Sequence, residues 1–128
     1  MGNRASILVV DDDPGTRNIL TLILKEKGHK VTSAKDGREA VARITKKHFD
    51  IVFMDIRMPT MGGLDAYLTI RDIDTEATII LMTAYVIEGH AHSMPQDGAY
   101  GIIYKPFDME DIIRLVDEIW QNKQTKTP

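Results

Sequence analysis

The chain contains no cysteine, which excludes disulfides and thiolate-bound metals and predicts a reducing, cytoplasmic setting. Long apolar runs are missing as well. Ile7–Val10 is as long as any clean run, far too short for a signal-peptide core or a membrane span. Positive charge is in deficit, with 16 Lys and Arg against 19 Asp and Glu and a net charge of −3. No basic excess is available to neutralise nucleic-acid phosphates, so direct nucleic-acid binding is not expected. Internal repeats and low-complexity tracts are also lacking. Membrane and nucleic-acid partners therefore drop out first.

What remains is 128 residues, 43% of them hydrophobic, enough for one compact domain with a proper core and no covalent staple. Met1-Gly2-Asn3-Arg4-Ala5-Ser6 fits a short myristoylation template, but that template is loose and the stretch reads as an ordinary N-terminus.

Apolar runs and helical patterns alternate five times. Ile7–Val10, Val31–Ala34, Ile51–Met54, Ile79–Met82 and Gly101–Tyr104 read as strands, several of them buried on both faces. Asp13-Pro14 opens the first helix, with Asp as N-cap and Pro at the first helical position, and Gly28 closes it. Asp36 and Glu39 form a box-like cap for a second helix, and a third runs from about Gly63 to Asp74. Gly89 and Pro95 predict a poor fourth helix between Tyr85 and Gly98. Asp108 and Asp111 open the last helix, and from Lys123 onward the composition predicts a polar tail or the start of a linker. The domain is thus placed at residues 1–122 and the tail at 123–128.

Five strand–helix units predict an α/β fold: a flavodoxin-like, doubly wound parallel sheet of order 2-1-3-4-5 with five helices. Ligands of such sheets bind beyond the carboxyl ends of the strands, here between the first and third strands, where the order reverses. Asp11 and Asp12 directly follow the first strand, Asp55 follows the third, Thr83 the fourth and Lys105 the fifth. Clustered carboxylates repel unless a cation or proton intervenes, and an all-oxygen donor set suits Mg²⁺. A carboxylate can also act as nucleophile toward phosphorus, with the metal, Lys105 and Thr83 holding the phosphoryl oxygens. Each residue alone has a plainer explanation. The Asp11–Asp13 run complements a helix dipole, Asp55 can start a loop, Thr83 can end a strand, and Lys105 can be solvated before a turn. Their joint placement points to chemistry, because independent causes would scatter them over both ends of the sheet.

Ile7-Leu8-Val9-Val10-Asp11-Asp12-Asp13, Asp55-Ile56-Arg57-Met58-Pro59, Thr83-Ala84 and Lys105-Pro106-Phe107 carry a resemblance. From about Ser6 to Asn122 the chain resembles the receiver domain of bacterial-type two-component response regulators. The resemblance implies that Asp55 accepts a phosphoryl group from a histidine of a sensor kinase or phosphotransfer protein. By the same likeness, Asp12, Asp55 and the Arg57 backbone carbonyl would ligate Mg²⁺, and Asp11 would hold metal-bound water. Lys105, placed by a cis bond to Pro106, would pair with the phosphoryl oxygens, and Thr83 would move to meet them. Arg57 and Tyr85 would flank the site. A downstream effector domain or protein, and a homodimer through the fourth helix, fifth strand and last helix, are partners the family allows.

The likeness breaks at Ile102. Receivers commonly carry Tyr or Phe three residues before the lysine, and that ring turns inward when the threonine moves. Tyr100 and Tyr104 are out of phase with that place and read as packing at the sheet edge. His29, His48, His90 and His92 show no pattern that predicts a carboxylate partner. Two other functions remain open. A haloacid-dehalogenase-like phosphatase also uses an Asp nucleophile and Mg²⁺, but it wants a second acid where this chain has Arg57, and usually an inserted cap domain. A phosphorylation-independent pseudo-receiver scaffold would normally lack part of the acidic set, and Asp11, Asp12 and Asp55 are all present.

Overall fold

Short runs of branched apolar residues become the interior of the sheet because both of their faces can be covered by helices. Five parallel strands, β1 (Ser6–Val10), β2 (Lys30–Ala34), β3 (Ile51–Asp55), β4 (Thr78–Thr83) and β5 (Ala99–Tyr104), pair in the order β2-β1-β3-β4-β5. The strand order is the one the alternating pattern predicts. The structure, a computed structural model, describes residues 4–56, 63–74, 76–83, 99–104 and 107–125. The helices among them are α1 (Pro14–Glu26), α2 (Gly37–Lys46), α3 (Gly63–Ile73) and α4 (Met109–Thr125). The fourth helix expected between Tyr85 and Gly98 lies outside the described residues, so α4 is the helix predicted as the last.

Alternation along the strands divides the core in two. Leu8, Val10, Val52, Met54, Ile79 and Leu81 face α2 and α3, where Ala40, Ile44, Tyr67 and Ile70 meet them. Ile7, Val9, Ile51, Phe53, Ile80 and Met82 face α1 and α4, where Leu20, Leu24, Ile112 and Val116 meet them. Every residue of β3 is buried, as a central strand covered on both sides must be.

The predicted helix boundaries rest on specific hydrogen bonds. Asp13 Oδ2 accepts the Thr16 amide at 3.0 Å and the Thr16 hydroxyl at 2.7 Å. At the other end of α1, Gly28 takes φ +95° while its amide reaches the Lys25 carbonyl and the His29 amide the Leu24 carbonyl. Those two bonds are a Schellman closure, and the left-handed turn is why glycine stands there. Asp36 caps α2 through the Glu39 amide at 2.8 Å, and Glu39 reaches back to the Lys35 amide at 2.8 Å.

Two expectations need correction. Polar composition predicts a tail from Lys123, yet α4 continues to Thr125, and Lys123 Nζ donates to the Glu76 carbonyl at 2.7 Å. His48 does have carboxylate partners. Its Nδ1 lies 2.7 Å from Asp74 and its Nε2 3.2 Å from Asp50, whose other oxygen accepts the Ser6 amide. The turn before β3 and the end of α3 meet only in three dimensions, so no local pattern announces this contact. His90 and His92 lie outside the described residues.

His29 is also placed by tertiary structure. It is buried, and its Nδ1 accepts the Ala5 amide at 3.0 Å, which requires a ring without a proton on that nitrogen. Burial pushes its pKa below the ordinary 6.5, and the charge of Asp117 on α4 opposes that shift only in part. Above the unfolded value both states are neutral and this contribution is whole. As pH falls below it, the unfolded chain takes up a proton that the folded ring resists, so stability declines. Urea midpoints should therefore fall between roughly pH 7.5 and 5.5, and the fall should be shallower in His29→Gln. Parallel profiles for the two proteins would remove His29 from the account.

Candidate functional site

Strand register brings the acids together. Val10 lies across from Met54, so Asp11 and Asp55 leave neighbouring strands side by side at the crevice where the strand order reverses. Carboxylate oxygens of Asp11, Asp12 and Asp55 all lie within 4.8 Å of one another. Asp11 is fully buried and Asp55 nearly so, whereas Asp12 is exposed. Three acids this close make an all-oxygen cluster that charge repulsion disfavours without a counter-ion, and whose donors suit a hard divalent cation. The donor set therefore fits Mg²⁺, on the chemistry of the ligands alone.

The turn that presents the acids is tightly made. Asp11 still belongs to the sheet through its amide, which donates to the Ala34 carbonyl at 3.2 Å. Its Oδ1 accepts the Asp13 amide at 2.9 Å, an Asx turn that starts α1. Its backbone carbonyl accepts from the Arg17 guanidinium at 2.8 Å. On the β3 side, the Ile56 amide donates to the Met82 carbonyl at 3.0 Å, which carries the β3–β4 pairing just past Asp55.

Thr83 ends β4 one residue beyond Met82, the partner of Asp55, and is 1% exposed. Its own partner in β5 is Tyr104, and Ile102 pairs with Leu81. Ile102 packs partly buried against the α2–α3 side of the core. Tyr104, on the same face two residues on, is 41% exposed and is the aromatic directly alongside Thr83. The expected acids and Thr83 thus meet at one edge. Arg57, Tyr85 and Lys105 lie outside the described residues. Sequence reasoning passed over Arg17, whose only signal was its place one helical turn after the cap Asp13.

Comparison with known proteins bears on this arrangement. The sequence profile described as the response regulator receiver domain matches residues 7–117. The regulatory protein AtoC of Escherichia coli is 35% identical over 120 residues, a match covering 94% of this chain and 26% of AtoC. The chain therefore spans about a quarter of the length of that relative. Among solved structures, a CheY-like receiver domain protein of Methanospirillum hungatei superposes with a TM-score of 0.88 at 25% identity, covering 98% of both chains. The response regulator TrrA of Thermotoga maritima, solved in complex with Mg²⁺-BeF, gives a TM-score of 0.79 at 32% identity, covering 91% of this chain and 98% of TrrA. By sequence match and by shared architecture, this chain belongs to the response regulator receiver domain family.

Proposed function

We propose that the domain is the phospho-accepting switch of a two-component phosphorelay, with Asp55 taking a phosphoryl group from a histidine of a sensor kinase or phosphotransfer protein. The observation that carries this reading is the convergence of Asp11, Asp12 and Asp55 within 4.8 Å at the strand-order reversal. An Asp55 carboxylate oxygen forms the new bond to phosphorus while the phosphorus–nitrogen bond to the donor imidazole breaks, its electron pair returning to the ring nitrogen. Asp12, Asp55 and the Arg57 carbonyl would hold Mg²⁺, with Asp11 acting through water. Bound Mg²⁺ supplies charge neutralisation for the acids and the incoming phosphoryl oxygens.

The chain's own residues do the rest. Burial of Asp55 keeps the nucleophile in one place and limits the water that could compete with it. Lys105 would pair with a phosphoryl oxygen, and the Thr83 hydroxyl would bond another. Arg57 and Tyr85 would govern how water reaches the acyl phosphate. Movement of Thr83 would then alter the surface offered to a downstream effector domain or protein, or to a second copy in a homodimer. With Ile102 at the usual aromatic place, Tyr104, the partner of Thr83 in strand register, puts a ring beside that movement.

Incubation with acetyl phosphate and Mg²⁺ tests the reading. A switch takes up about one phosphoryl group per chain and loses it slowly; steady turnover would indicate a phosphatase, and no labelling a pseudo-receiver scaffold. The metal can be tested separately. Asp12→Asn should weaken Mg²⁺ binding by about tenfold or more, since a hard-cation site loses one of its few charged oxygens. NMR shifts of the Asp11, Asp12 and Asp55 amides report it, and an unchanged midpoint in the variant counts against Asp12 as a ligand.

A further inference from the structure

The Asp11 carbonyl lies one residue past the end of β1 and accepts a hydrogen bond from the Arg17 guanidinium at 2.8 Å. Arg17 reaches it from the second turn of α1. The Arg17 amide donates to the Asp13 carbonyl, and the Arg17 carbonyl accepts the Thr21 hydroxyl, so the backbone from which the side chain starts is itself held. The side chain is half-buried, and among the described residues no carboxylate lies within ion-pair distance of it. Its hydrogen bond goes to main chain beside an acidic cluster, where pairing with one of the acids would be the simpler outcome.

We propose that Arg17 is a positioning residue of the acidic site: by holding the Asp11 carbonyl it fixes the Asp11–Asp12 peptide and thereby sets the affinity of the site for a divalent cation. The inference rests on the reading of Asp11, Asp12 and Asp55 as a Mg²⁺ site.

Three features support it. The carboxylate of Asp11 is fixed at one oxygen by the Asp13 amide and its carbonyl by Arg17, so the residue is restrained on both its side chain and its main chain. A peptide unit is planar, so holding that carbonyl also sets the plane from which Asp12 departs. Asp12 is the exposed member of the cluster, with least packing of its own, and gains most from a fixed starting point. Partners that orient ligands in this way commonly change metal affinity by about 10- to 100-fold when removed.

Mg²⁺ titration of the intact chain, followed by backbone amide NMR, tests the proposal with Arg17→Met and Arg17→Lys. Methionine keeps an apolar stem without donor or charge, and lysine restores both. The methionine variant should bind Mg²⁺ about tenfold more weakly or worse, and the lysine variant should recover most of the loss. Affinity equal to wild type in Arg17→Met, or equal losses in both variants, would overturn the inference while leaving the metal site standing. Thermal unfolding in the presence of chelator accompanies each titration, because a merely structural role would lower the melting temperature of Arg17→Met without a lysine-reversible change in affinity. A second readout uses the unsubstituted protein and holds even if Arg17→Met fails to fold. The Arg17 Nε–Hε resonance should shift with the same Mg²⁺ midpoint as the Asp12 amide, and a flat response would sink the proposal. No Mg²⁺ response anywhere in the unsubstituted protein would instead overturn the metal-site reading, and this inference with it.

Discussion

Asp55→Asn should yield a folded domain that takes up no phosphoryl group from acetyl phosphate. The amide matches the carboxylate in shape but has no anionic oxygen to attack phosphorus, so the expected loss is complete. The fold should survive because Asp55 sits at the end of β3, below which Ile51–Met54 retain their pairing with β1 and β4. Without divalent cation the variant should be at least as stable as the wild type, since one of three carboxylates within 4.8 Å has become neutral. Mass spectrometry of the phosphorylated and mock-treated proteins reads the first effect, and urea unfolding in chelator the second. Labelling at the wild-type level would move the acceptor to another acid. A large fall in stability would mean that the carboxylate of Asp55 is held by partners the amide cannot keep.

The largest effect on stability is expected from Phe53→Ala. Phe53 is fully buried in the middle of β3, between Val9 and Ile80 in register, and faces the cluster closed by Leu20, Leu24, Ile112 and Val116. Removing the ring takes away its burial and leaves a cavity among elements that a central strand keeps from closing in. The cost should be about 3–5 kcal/mol, a large part of the stability of a domain this size. Urea denaturation with an unchanged slope and a lower midpoint is the expected record. A loss under about 1 kcal/mol would show that α1 or α4 moves inward to refill the space. Because Phe53 lies two residues before Asp55 on the same face, the variant also tests whether the acidic edge depends on the core beneath it. Its Mg²⁺ midpoint should stay near that of the wild type where the protein remains folded.

The centre of the sheet was legible in the chain because β1, β3 and β4 are buried on both faces. Such strands are continuous apolar runs, and Ile7–Val10, Ile51–Met54 and Ile79–Met82 need no partner to be recognised. Caps are equally local: Asp13, Asp36 and Gly28 act within four residues of themselves, so their roles could be read from neighbours alone. The acidic site was legible for a different reason. In a doubly wound sheet the residue after each strand falls at the same edge, so strand ends in the sequence become neighbours in space. Asp11, Asp12, Asp55 and Thr83 required no more than that rule. Only tertiary structure could supply the contacts made between elements distant along the chain. The Ala5 amide on His29, the bridge from His48 to Asp50 and Asp74, and Lys123 on the Glu76 carbonyl each depend on where loops and helix ends come to rest. The reach of Arg17 to the Asp11 carbonyl is shorter in sequence but of the same kind, because a long side chain chooses its partner from whatever the folded turn leaves unsatisfied. Apolar pattern records which residues must leave water. It does not record which polar atoms, once crowded together, will satisfy one another.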